Sequence, residues 1–373
     1  MTPTLHGTCD PAFAPLRQAF AQSFAEGLEI GASVAVVVDG RLVANLWAGQ
    51  ADPDSVRPWT AETLVNVWSV TKGVVALAMA LLVERGKLDY RQTVASVWPE
   101  FAAGGKGAIT VDQVLSHQAG LEGLTVPMGL ADFYRSTPYV QALAAMEPLW
   151  EPGSRSVYHA MSYGHLAGEI LRRVDGRRIG RFVADEIAAP LQVPFFIGLP
   201  EAEDHRAARL AEGPGVSDWV AERLAGPYPH ACRNPTLRAS EPNDRAWRAA
   251  EIPGGNGHGS AAALATIYGA MVRQGDPILR ADSLARATAP RFDGLRADTG
   301  TRSVWGAGFQ MAEAEYGRRA DPGSFGHGGW GGSLAFADPR ARLGFAYVTN
   351  HLCGFADVDP RRTRLIEAVY DAL

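Results

Sequence analysis

Lysine is scarce in this chain. Of 35 basic residues only three are lysines, Lys72, Lys87 and Lys106, and the rest are arginines. Cysteine is scarce too. Cys9, Cys232 and Cys353 are odd in number and far apart, which excludes a disulfide framework and a cysteine-based zinc site and points to reduced thiols. The nine histidines form neither a His-Glu-x-x-His nor a His-x-x-x-His pattern, so no metal and no cofactor are expected. No apolar run reaches the length of a membrane span. Residues 1–10 lack the basic, apolar and small-residue succession of an export signal, so the expected location is cytoplasmic, away from the membrane. No cluster of arginine and lysine resembles a basic stripe, and a formal net charge of −5 argues against a nucleic-acid surface. Gly-x-Ser-x-Gly is absent, which removes the α/β-hydrolase elbow from consideration.

What is present describes an ordinary globular protein: 373 residues, 47% hydrophobic and 20% charged, enough for one large or two closely packed domains. An amphipathic segment from Pro11 to Leu28 precedes a strand pair, Gly31–Gly40 and Arg41–Ala48, turned at Asp39-Gly40. Helical patterns dominate from Val74 to Leu284. Strand patterns return at Ser303–Met311, Ser333–Ala337 and Leu343–Val348, before a helix at Arg361–Leu373. The expected organisation is a discontinuous sheet domain (1–73 and 285–373), a mostly helical region (74–284) and a cleft between them. The charged, proline-rich stretch from Pro200 to Pro253 is expected to cover that cleft from one side.

One lysine stands in a telling place. Val67-Trp68-Ser69-Val70-Thr71-Lys72-Gly73 contains an S-x-x-K tetrad ahead of the apolar run Val74–Val83. With so few lysines, roughly 0.1–0.2 such matches are expected by accident. Residues three apart on a helix share a face, so the Lys72 amine can lie beside the Ser69 hydroxyl. The run that follows reads as a helix buried all round, and a lysine at its head would be partly desolvated, which lowers its proton affinity and suits it to activate a serine. A solvated helix terminus is the plain alternative.

Two further stretches qualify as partners. Trp150 to Ile170 runs from a Gly/Pro turn into a helix and carries Tyr158 and Tyr163. Each has a claim to act as a base beside Lys72, although from the residues alone the core reading is the stronger one for Tyr158. Phe325 to Pro339 contains Gly326-x-Gly328-x-x-Gly331, but strand residues follow where a nucleotide fingerprint needs a helix. Those glycines suit close approach of a ligand to a strand, or a bulge.

Taken in order, Ser69-Val70-Thr71-Lys72, Val114–Leu121, Glu151-Pro152-Gly153 with Tyr158, and His327-Gly328-Gly329 with Phe336–Pro339 resemble the serine beta-lactamase-like hydrolases, and most of all the family VIII carboxylesterases. The resemblance spans Gly31 to the C-terminus. It implies an α+β fold, an antiparallel sheet flanked by helices with an inserted helical region. It implies Ser69 as the acylated nucleophile, Lys72 and Tyr158 as its proton partners, and backbone N–H groups of Ser69 and Trp330 as the oxyanion hole. His327, Gly328, Gly329 and Trp330 would line the substrate site, with the substrate a small ester. Ala160 stands where class C beta-lactamases carry an asparagine, and His327 where the related pattern has lysine, which favours ester over lactam cleavage. Of Trp68, Trp150, Trp219, Trp247, Trp305 and Trp330, only Trp330 is tied to the site by motif.

Overall fold

The computed structural model describes residues 3–311, 316–354 and 359–373. Its frame is a nine-stranded sheet of β1 (His6–Cys9), β2 (Gly31–Val38), β3 (Arg41–Gly49), β4 (Phe292–Leu295), β5 (Arg302–Trp305), β6 (Gln310–Met311), β7 (Phe325–Gly328), β8 (Leu334–Asp338) and β9 (Leu343–Thr349). The spatial order is β1-β3-β2-β9-β8-β7-β6-β5-β4, and every neighbouring pair is antiparallel. The two chain ends meet at β2 and β9, where Val34 faces Tyr347 and Val36 faces Phe345. Both strands are apolar along nearly their whole length because both faces of the sheet are covered.

The period of two sorts β2 between two cores. Val34 and Val36 pack with Leu16 and Phe20 of α1 (Ala14–Ala25) and with Leu365 and Val369 of the C-terminal helix Pro360–Ala372. Ala35 and Val37 join the larger core with α2 (Thr71–Glu84) and the helix Ala261–Val272. The turn between β2 and β3 has Asp39 and Gly40 both at positive φ, the primed hairpin that an Asp-Gly pair favours.

Three features lay outside the sequence-based expectation. β1 and β4 are four-residue strands with little apolar pattern, and both sit at sheet edges, where alternation is weakest. Helix Ala261–Val272 lies within the middle segment of the chain yet packs on β2, β8 and β9, and Gly344 lets its backbone close on the sheet. A second, three-stranded sheet joins Val65–Asn66 and Phe195–Ile197 to either side of Gly257–Gly259. That small sheet fixes the chain just before Ser69. Among the described residues no helix is long and apolar enough to cross a membrane.

Candidate active site

Ser69 sits one turn ahead of α2 and not within it. Trp68 takes a left-handed φ of 47°, and the amides of Val70, Thr71 and Lys72 then bond back to Val67, Trp68 and Ser69 in a tight turn. A non-glycine residue in that region costs on the order of 1–3 kcal/mol. Its neighbours hold it there. The Trp68 ring lies 5.1 Å from that of Trp247 and 4.8 Å from that of Trp330, and Thr71 Oγ1 donates to the Trp68 carbonyl at 2.5 Å while accepting from the Gly257 amide at 2.8 Å.

Every residue of α2 except Glu84 is buried, Lys72 completely. Its Nζ lies 2.9 Å from Ser69 Oγ and donates to the Gly254 carbonyl at 2.6 Å. No carboxylate pairs with it among the described residues. A buried ammonium without a counter-charge is costly, so desolvation drives the Lys72 proton affinity well below the usual lysine value. Burial thus favours the neutral amine beside the serine hydroxyl.

The structure separates the two tyrosines. Tyr163 is fully buried, its hydroxyl 3.5 Å from the Lys72 carbonyl oxygen, and it does not reach the cavity. Tyr158 lines the cavity beside Ser69 and has Lys72 Nζ 5.0 Å from its ring centroid. Burial raises its proton affinity, with Ser69 pulling the other way, so the resting group is a phenol. His327, 3% exposed, borders the cavity with its ring 6.0 Å from that of Tyr158. Its Nδ1 bonds the Gly328 carbonyl at 2.6 Å, and desolvation above all pushes it down to about 3, so it is neutral.

These groups floor a cavity of about 710 Å³. Gly328, Gly329 and Trp330 form one wall. Among the described residues, neither the Ser69 nor the Trp330 amide donates to any protein acceptor, and both residues border the cavity. The Trp330 indole donates to the Val216 carbonyl at 2.9 Å and stacks toward Trp219 at 5.6 Å, tying the wall to the segment that covers the cleft. Met161, Trp219, Val220 and Leu237 add apolar lining. Ala160 is also there, and His159 turns away, its Nε2 accepting from the Leu121 amide at 3.1 Å. No side-chain amide follows Tyr158 into the cavity.

Arg296 and the Gly254 carbonyl were missed from sequence. Of the tryptophans named there, Trp68 and Trp219 border the cavity with Trp330. Trp150, Trp247 and Trp305 do not border the cavity. The residues 200–253 supply Val216, Trp219, Val220, Glu222 and Leu237 to its lining.

An antiparallel sheet that presents a glycine-rich strand to a serine–lysine pair is the beta-lactamase/transpeptidase-like fold. The family model described as Beta-lactamase matches residues 16–370, and the chain belongs to that family. A crystal structure of a family VIII carboxylesterase is 41% identical, covers 99% of this chain and 100% of its own, and superposes with a TM-score of 0.92. A penicillin-binding protein homolog from Caulobacter crescentus is 40% identical over 99% of this chain and 100% of its own, with a TM-score of 0.89. The esterase/beta-lactamase LipL of Mycobacterium tuberculosis is 32% identical over 93% of this chain and 83% of its own length.

Proposed function

We propose that Ser69 is acylated by short carboxylic esters and that Lys72 and Tyr158 move the protons. The protein is a carboxylesterase, a serine hydrolase of the beta-lactamase fold, as its esterase relatives indicate. The observation that carries the residue assignment is the 2.9 Å pair of Ser69 Oγ and the buried Lys72 amine at the floor of an open cavity. Neutral Lys72 takes the Ser69 proton as Oγ attacks the ester carbonyl. The free amides of Ser69 and Trp330 hold the oxyanion. Tyr158 gives its proton to the departing alkoxide and recovers one from Lys72, and water then releases the acid by the reverse route. His327, Gly328 and Gly329 form the wall along which the acyl group lies. The neutral His327 and the lack of an amide donor after Tyr158 favour an ester over a carboxylate-bearing lactam. The division into 1–73 with 285–373 and 74–284 belongs to this reading, since Ser69, Tyr158 and His327 come one from each stretch. Three unpaired thiols support a reducing, cytoplasmic setting.

The test is intact-protein mass spectrometry after brief exposure to p-nitrophenyl butyrate and, separately, to a p-nitrophenyl phosphonate and a beta-lactam. A stoichiometric adduct on wild type that is absent from Ser69→Ala supports the assignment. Turnover by Ser69→Ala equal to wild type removes it, and an adduct with the lactam alone turns the reading toward a lactamase.

A further inference from the structure

Besides His117, three basic side chains stand against the Tyr158 ring. Burial lowers the proton affinity of Lys72 and His327 and so favours their neutral forms. The third is Arg296, whose guanidinium carbon lies 5.2 Å from the ring centroid and which borders the cavity. A guanidinium keeps its charge in protein settings where an amine or imidazole gives it up.

Arg296 is held there by a small construction of its own. It begins the turn between β4 and β5, and its Nε and Nη2 reach the Asp298 carboxylate at 3.1 and 2.6 Å. Asp298 also accepts from Arg223, so the group of two arginines and one aspartate retains a net positive charge. The three side chains are 12%, 13% and 1% exposed. The next residue, Ala297, donates its amide to the Ser156 carbonyl at 3.0 Å, two residues before Tyr158. The hairpin turn is therefore pinned to the segment that carries the tyrosine. The other groups facing that ring are His117, at 4.9 Å between centroids, and Trp305, stacked at 6.1 Å. Neither brings a fixed charge: burial keeps His117 neutral.

We propose that Arg296 is a positioning residue that acts through Tyr158, its fixed charge supporting the phenolate formed when Tyr158 protonates the leaving alkoxide. The proposal rests on the proton route given above. In that step the ester carbon–oxygen bond breaks, the phenol proton passes to the alkoxide, and the phenolate is reprotonated by the Lys72 ammonium that took the Ser69 proton. Charge is conserved throughout. A cation beside the phenolate favours the ionised form, and Asp298 alone would oppose it. Both arginines and Asp298 act on Tyr158 in these directions.

Leaving-group dependence is the readout that a merely structural role would not move. An ethyl ester needs its alkoxide protonated, whereas p-nitrophenolate departs without a proton. We expect Arg296→Gln to lower the ratio of kcat/KM for ethyl butyrate to that for p-nitrophenyl butyrate by about tenfold or more. Arg296→Lys, which keeps the charge, should hold the ratio closer to wild type. Rates are counted per site titrated with the phosphonate, so a partly misfolded preparation still reports, and Arg296→Met provides a second neutral variant. A ratio within about threefold of wild type in both neutral variants overturns the proposal. So does a fall in Arg296→Lys as large as that in Arg296→Gln. Persistent turnover in Ser69→Ala, run alongside, would instead remove the acyl-enzyme reading on which the proposal stands.

Discussion

At the scale of single residues the decisive fact is a lysine without a counter-charge. In the proposed proton route the Lys72 amine is useful because it is buried: in water it would be protonated and unable to take the Ser69 proton. The sign of its pH dependence follows. Burial lowers the folded proton affinity below the unfolded value of 10.5, so the amine is available above the lowered value and lost as pH falls through it. The rate of acylation should therefore rise with pH along an acid limb set by Lys72. Lys72→Arg, whose side chain keeps its proton, should lose about 10²–10⁴ in kcat/KM and show no such limb. Profiles of p-nitrophenyl butyrate hydrolysis from about pH 5 to about pH 10 decide this, with an unchanged limb in Lys72→Arg ruling out the amine as base.

At the scale of elements the amine is held by a carbonyl that belongs to a different part of the chain. Gly254 is 182 residues from Lys72, and the helix Ser162–Asp175 sets its position by packing Gly164 directly on the Gly254 backbone. A methyl at Gly164 would fall well inside van der Waals distance of the Gly254 nitrogen, with rigid backbone as the obstacle. Gly164→Ala is expected to cost about 1–3 kcal/mol in urea unfolding and to reduce turnover by shifting the Gly254 carbonyl from Lys72. Gly168→Ala, one turn along, meets the Pro253 ring at an ordinary 3.4 Å and should instead stabilise by about 0.5–1 kcal/mol. Equal behaviour of the two would show that the close approach at Gly164 is not what seats Gly254. The same contrast explains what could be read from sequence. Ser69 and Lys72 were legible because their pairing is local. The β2–β3 hairpin was legible because Asp39-Gly40 names its turn, and the C-terminal helix because its pattern is strong. Tyr158 stood out from Tyr163 only by family resemblance. Gly254 and Arg296 reach the site through a backbone carbonyl and a hairpin turn, neither of which leaves a pattern along the chain.

At the scale of the whole molecule the two chain ends meet inside the sheet, at β2 and β9, and the join carries buried charge. Glu29, just before β2, takes hydrogen bonds from Tyr347 and from Thr349 Oγ1 on β9, the latter at 2.7 Å, and lies 3.7 Å from Arg361 at the head of the C-terminal helix. Arg361 also donates to the Gly331 carbonyl at 3.0 Å, beside Trp330, so the chain ends and the wall of the cavity share one anchor. Glu29 and Arg361 are both buried. Desolvation raises the Glu29 carboxyl from 4.5 to about 7, with Arg361 opposing it. The folded state then holds the proton more tightly than the unfolded one. Stability from this group is complete below the unfolded value and falls as pH rises toward about 7, by on the order of 2–3 kcal/mol. Glu29→Gln removes the titration and keeps the shape, and Thr349 Oγ1 can turn to the Gly31 carbonyl at 3.4 Å. The variant should lose less Tm than wild type between about pH 5 and about pH 8, and its Tm at the upper end should equal or exceed wild type. Identical slopes in the two proteins would mean that Glu29 stays ionised throughout, its charge fully met by Arg361, and that the join is an ion pair at every pH in the range.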